Sequence, residues 1–162
     1  MIKAILILPF NVLITVPALI LWFSDWALIT PQNRLPFLIM IGLFSLGLSL
    51  VAWTIGLFAA VKKGSLAPWN PIDKLITTGP YAYVRNPMLL GVFLVLGGEA
   101  LLFTSYPLAI YLIIFIMINA LYFPLSEEKG LEKRFGQEYI TYKNNEPRFI
   151  PRVSPYKSQN KK

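Results

Sequence analysis

Two clusters of polar residues interrupt a chain that is otherwise largely apolar. The first runs Asp73-Lys74-Leu75-Ile76-Thr77-Thr78-Gly79-Pro80-Tyr81-Ala82-Tyr83-Val84-Arg85-Asn86-Pro87-Met88. Gly79-Pro80 is a turn signal, and Pro87 keeps Asn86 out of helical geometry just before an apolar run begins. An arginine, an amide and two tyrosines are thereby set at the lip of a helix. The second cluster is Glu127-Glu128, where another apolar run ends. Two adjacent carboxylates at a helix C-terminus repel one another and oppose the helix dipole, and a cationic partner relieves both problems. Taken singly, Arg85 reads as an interfacial anchor and the glutamates as the start of a solvated helix. Brought to the same end of one bundle, they read as a site for a ligand with a cationic group.

The residues that are missing narrow the chemistry. The 162 residues include no cysteine and no histidine. A disulfide framework, a thiolate nucleophile and a Cys/His metal site are all out of reach, and no metal is expected. No Ser-His-Asp arrangement can be built, and no imidazole can act as a general base. The net charge of +7 comes without the aromatic or groove-reading motifs of nucleic-acid binders, so no nucleic-acid partner is expected.

The elements that must position these residues are membrane helices. Charged residues make up 14% of the chain and hydrophobic ones 56%, against roughly 25% charged in a typical soluble protein, and mean hydropathy is +0.58. Four apolar stretches, 4–23, 37–60, 88–103 and 106–125, approach the roughly 20 residues that a bilayer-crossing helix requires. Pro9 and Pro17 interrupt the first, which membrane helices tolerate when neighbours satisfy the freed backbone groups. That run is too long for a signal peptide and lacks an Ala-x-Ala-like site, so it reads as a retained helix. The fold expected is all-α: one integral membrane domain over 1–162, a bundle of four transmembrane helices with a loop at 62–87 and a tail at 126–162.

Lysine and arginine fix the expected orientation. Lys62, Lys63, Lys74 and Arg85 lie in the loop 62–87, nine more follow Leu125, and Lys3 precedes the first span, whereas the other connections hold only Arg34. Both termini and the 62–87 loop should therefore be cytoplasmic, with the basic surplus holding anionic headgroups. In the tail, Leu131, Phe135, Tyr139 and Tyr142 recur at helical spacing, giving Glu127 to about Lys143 one apolar face. Gly130 and Gly136 weaken that helix, which should lie on the membrane surface or fold against the helix ends. Residues 154–162 read as a frayed polar tail. Inside the spans, Glu99 is a functional candidate by default, with a structural hydrogen bond or snorkelling as its plainer role. Asn119 is expected to bond a neighbouring helix, and Gly42, Gly47, Gly56, Gly91 and Gly97 to mark helix contacts. Trp22, Trp26 and Trp69 read as interfacial anchors.

Thr78-Gly79-Pro80-Tyr81, Arg85-Asn86-Pro87-Met88 and Gly91 resemble the signature of an integral-membrane methyltransferase superfamily. It comprises the isoprenylcysteine carboxyl methyltransferases and the phosphatidylethanolamine N-methyltransferases. The string Glu127-Glu128, Leu131, Phe135-Gly136-Gln137-Glu138-Tyr139, Tyr142 and Pro147-Arg148-Phe149-Ile150-Pro151 is similar to the C-terminal half of that signature. Together the blocks cover about 66–152. The resemblance implies S-adenosylmethionine as cofactor, bound at the cytoplasmic ends of the last two helices. It assigns to the cofactor pocket Asp73, Lys74, Leu75, Ile76, Tyr81, Asn86, Pro87, Met88, Leu89 and Glu127, to which the chemistry of the neighbouring residues adds Gly79, Arg85 and Glu128 as candidates. Glu127 or Glu128 can meet the cofactor's amino group or ribose diol, Arg85 its carboxylate, and Tyr81 or Tyr83 its adenine or sulfonium. No Gly-x-Gly-x-x-Gly loop is present, so a Rossmann-type methyltransferase domain is not available.

Three departures shape the expected substrate. Asn86 stands where many relatives have histidine, which is closer to the phosphatidylethanolamine branch. Leu89 stands where the motif usually has a tyrosine. Phe123 replaces an arginine that holds the substrate carboxylate in the prenylcysteine branch, which argues for a neutral or cationic lipid head. The implied reaction is methyl transfer to a lipophilic acceptor drawn from the membrane lipids, preferably an amine-bearing phospholipid. Alternatives are carboxyl methylation of a prenylcysteine-like or other lipophilic acid, S-methylation of a small thiol, or a scaffold without activity. Phe123, Tyr139 and Arg148 are assigned to the acceptor. Glu128 is the candidate to take the amine's proton, with water as the alternative.

Overall fold

The computed structural model describes residues 10–30, 32, 34–60 and 75–156, and all regular structure among them is helical. Helix α1 is Asn11–Trp22, α2 is Arg34–Ala60, α3 is Pro87–Leu102 and α4 is Tyr106–Tyr122. After α4 come two short helices, α5 (Glu128–Phe135) and α6 (Gln137–Asn145). The stretches Arg34–Ala60 and Tyr106–Phe135 are long and apolar enough to cross a membrane, while Asn11–Trp22 and Pro87–Leu102 are shorter apolar helices. At about 1.5 Å per residue, α3 reaches only about 24 Å, somewhat less than a hydrocarbon core of about 30 Å.

Two π-turns adjoin prolines that cannot donate a backbone hydrogen bond. In Asn11–Thr15, ahead of Pro17, Val16 N–H reaches Asn11 O. In Phe123–Glu127, which contains Pro124, Glu128 N–H reaches Phe123 O. The second turn has a consequence that the apolar run does not reveal. The helix does not stop at Leu125 but passes through the turn into α5 and carries the paired glutamates with it.

The tightest packing is between α2 and α3. A Cβ at Gly47 would come within 2.7 Å of Val95 Cγ2 and 2.8 Å of Gly91 O, and one at Gly91 within 2.9 Å of Gly47 O. These two glycines let the backbones touch. Gly42 and Gly56, expected to mark contacts too, face open space. Beside the crossing, Val51, Val92 and Leu96 form a buried cluster. The buried Thr54 hydroxyl donates to its own helix, 2.9 Å from Leu50 O and 2.9 Å from Val51 O. Asn119 does likewise: its Nδ2 donates to Phe115 O at 2.8 Å, so the expected bond to a neighbouring helix is replaced by one within α4.

At the end of the bundle away from Pro87, Ser105 caps α4 by accepting from Leu108 N–H at 3.4 Å. The residues after α1 pair with the end of α3 there, Ala27 N–H to Phe103 O and Ile29 N–H to Leu102 O, and Trp26 stands edge-on to Phe103. Glu99 lies one turn inside this end, with Oε2 buried and no hydrogen-bond partner for it among the described residues.

Candidate functional site

The opposite end of the bundle is closed by residues from both polar clusters. Gly79–Ala82 forms a single 3₁₀ turn. Gly79 adopts φ +62°, a left-handed conformation that suits glycine, and sits against Leu57 and Trp53 of α2. Asn86 caps α3: its Oδ1 accepts from Leu89 N–H at 3.1 Å, and Pro87 occupies the first turn, where a missing donor costs nothing. The chain then rises through α3 and α4 and returns to the same end as α5.

Gly136, at φ +54°, separates α5 from α6, so the amphipathic tail is two helices. Its apolar residues fold inward as the periodicity suggests. Leu131, Phe135, Tyr139 and Tyr142 pack with Leu75, and Phe135 also reaches the Phe58–Tyr81 pair beside Ile76. Tyr142 donates its hydroxyl to Tyr81 O at 2.6 Å. Burial pushes the Tyr81 and Tyr142 hydroxyls well above their ordinary range.

Beyond α6 the chain doubles back as a strap along residues 82–86. Arg85 N–H donates to Pro147 O at 2.9 Å, Asn86 N–H to Arg148 O at 3.3 Å, Arg152 N–H to Tyr83 O at 3.0 Å and Tyr156 N–H to Ala82 O at 2.6 Å. Arg152 Nη1 also holds Glu146 Oε1 at 2.9 Å. The strap seats Phe149 between Phe93 of α3 and Phe123 of the π-turn, with ring centroids 5.8 and 6.2 Å apart.

Glu128 is the hub of this end. Its side chain is 0% exposed, with Arg85 Nη1 at 2.7 Å and Arg148 Nε at 3.0 Å, both on Oε1, and Lys143 Nζ at 3.0 Å from Oε2. Lys143 also pairs with Glu132 at 2.7 Å. The apolar part of the α4 helix ends at Leu125, so these groups stand in its polar continuation. Burial works to raise the Glu128 pKa, but the bonds to Lys143 and Arg148 and the charge of Arg85 overcome it and hold the carboxyl below its ordinary range. Of the two adjacent glutamates, Glu128 thus finds the cations that the pair requires.

Several assignments change in consequence. A buried carboxylate held ionised by three cations is a poor proton acceptor, which removes the basis for giving Glu128 that role. Arg85 bonds Glu128 through Nη1, so its guanidinium is anchored in the ion cluster. Tyr81 packs edge-on against Phe58 at 5.9 Å and offers no free face, whereas Tyr83 is 38% exposed. Phe123 and Tyr139 are buried in side-chain packing, and Arg148 joins the ion cluster. Leu75 and Ile76 belong to the packed layer beneath α5 and α6, while Met88 and Leu89 are partly exposed at the start of α3. Asp73 and Lys74 lie outside the described residues. Glu127 differs from its neighbour: it is exposed and has no ion-pair partner among the described residues, yet it is near enough for its charge to add to burial in raising the Tyr81 hydroxyl.

Sequence reasoning did not single out Lys143, Glu132, Glu146 or Arg152. The density of alternating charge after Glu127 was the available signal, but helical spacing alone does not tell which of those charges turn inward.

The chain belongs to the phospholipid methyltransferase family, whose model matches residues 35–138, nearly two thirds of the 162 residues. The matched region runs from α2 into α6 and includes Arg85, Glu127 and Glu128, while Arg148 and the strap lie beyond it. No curated protein and no solved structure matches the chain.

Proposed function

We propose that the protein transfers a methyl group from S-adenosylmethionine to the amine of a membrane phospholipid. In this reading α1 to α4 all cross the bilayer, with the Arg85–Glu128 end and both termini in the cytoplasm, as the distribution of Lys and Arg favours. The carrying observation is the division of labour between adjacent glutamates: Glu128 is consumed in the ion cluster, and Glu127 is exposed near Tyr81 with no ion-pair partner among the described residues.

The residues present fit the cofactor. The free carboxylate of Glu127 suits an amino group or a ribose diol, and the exposed Tyr83 ring suits a flat base or a cation. Bound there, S-adenosylmethionine supplies a methyl group already activated on a sulfonium, so the protein has chiefly to align and desolvate the partners. The Glu128 cluster fixes the relative position of the α3 start, α5 and the strap. Phe93, Phe123 and Phe149 provide an apolar wall on the lipid side, and the amine's proton leaves to water. Phe123, which carries no charge to hold a carboxylate, supports an amine acceptor over an acidic one.

Cofactor binding by calorimetry tests the assignment. The Glu127→Gln variant removes one charge-assisted contact, which should cost about 1.5–3 kcal/mol, or ten- to a hundredfold in affinity. Unchanged affinity would rule Glu127 out of the site.

A further inference from the structure

The ion cluster around Glu128 has more donors than acceptors. Among the described residues Arg85, Lys143 and Arg148 face Glu128 and Glu132, so these ion pairs hold three cations against two carboxylates. Both arginines spend a single nitrogen on the same oxygen, Glu128 Oε1. A guanidinium carries five N–H donors and no acceptor, so most of the hydrogen-bonding capacity here is unspent. The Arg85 side chain is 9% exposed, and its Nε is buried and reaches no acceptor in hydrogen-bonding geometry among the described residues, although the Tyr139 hydroxyl lies near enough to interact. The Arg148 side chain is 30% exposed, and among the described residues only its Nε is engaged.

We propose that Arg148, backed by Arg85, is the site for the phosphodiester of the lipid acceptor. An oxyanion supplies the acceptors that the two guanidinium groups lack, and Arg binds phosphate through paired N–H bonds. The cofactor's carboxylate offers similar chemistry, but the position favours the lipid. Phe149, the next residue, inserts between Phe93 and Phe123 in the apolar bundle, and Ile150 is 81% exposed. Arg148 therefore stands at the step from hydrocarbon to polar layer, where phospholipid phosphates lie. The inference deepens the phospholipid reading above and rests on it for the identity of the acceptor.

The test is lipid retention by the full-length protein, read by native mass spectrometry after release from nanodiscs that contain phosphatidylethanolamine and chain-matched diacylglycerol. S-adenosylmethionine affinity is measured by calorimetry in parallel. The wild-type protein should retain phosphatidylethanolamine over diacylglycerol. Arg148→Gln should lose that preference ten- to a hundredfold while keeping its cofactor affinity. A variant that keeps the preference overturns the proposal. A variant that loses cofactor affinity instead reassigns the arginine to the cofactor's carboxylate and likewise overturns it. If the variant fails to insert, the wild type decides alone, since equal retention of the two lipids is incompatible with a phosphate site. Retention does not depend on turnover. A protein that prefers the phospholipid yet transfers no methyl group would refute the reaction and leave the site standing.

Discussion

Arg85 Nη1 lies 2.7 Å from Glu128 Oε1 in the interior of the protein, joining the residue that precedes the α3 cap to the first residue of α5. The pair closes the α3–α4 hairpin at its base, and Arg148 on the same oxygen ties the C-terminal strap to that closure. Breaking such a pair leaves a charge buried without its partner, which typically costs about 3–5 kcal/mol.

Glu128→Gln should therefore destabilise the protein by about that amount, with a lowered thermal midpoint in detergent micelles. Glu127→Gln, at an exposed position with no ion-pair partner among the described residues, should leave the midpoint within a degree or two of wild type (a surface change of about 0.5 kcal/mol or less). Equal destabilisation by the two variants would contradict the division between them.

The same cluster sets a pH response. The folded-state pKa of Glu128 is lowered, so its contribution to stability is complete above the unfolded-state value of about 4.3. It is lost as pH falls through the folded value. Thermal midpoints measured from pH 7 down to pH 3 should fall more steeply for wild type than for Glu128→Gln, with the difference confined to the acid end.

The α2–α3 crossing tolerates no side chain at Gly47. Gly47→Ala would place a methyl group against the Gly91 carbonyl oxygen and the Val95 side chain, and the overpacking should cost about 1–3 kcal/mol. Gly56→Ala, facing open space, should be neutral or slightly stabilising, because alanine has the higher helix propensity. Chemical denaturation of both variants in the same detergent checks the contrast.

Tyr142→Phe removes the hydroxyl that donates to Tyr81 O. A buried carbonyl left unsatisfied costs about 1–3 kcal/mol, and the loss should appear as faster hydrogen exchange in residues 79–86 before any loss of helix content.

Much of this arrangement is legible in the sequence. The apolar runs locate the helices, Asn86-Pro87 announces the start of α3, and the Leu131–Tyr142 periodicity gives the buried face of α5 and α6. Glu127-Glu128 asks for cations on electrostatic grounds alone. What sequence does not disclose is which of two adjacent carboxylates turns inward. A residue step of 100° on a helix decides that, and the π-turn at Phe123–Glu127 shifts the register just before it. The strap is hidden for a different reason: backbone hydrogen bonds between residues 147–156 and 82–86 leave no side-chain pattern. Gly42 and Gly47 look alike in composition, yet only Gly47 faces α3.

The most direct measurement is methyl incorporation by the purified protein in native-lipid nanodiscs, with S-adenosylmethionine labelled in its methyl group and lipid, protein and volatile fractions counted separately. Label in an amine-bearing phospholipid, strongly reduced in Glu127→Gln, is the expected result. No label in any fraction, together with no cofactor binding by calorimetry, would contradict methyl transfer and leave a membrane scaffold.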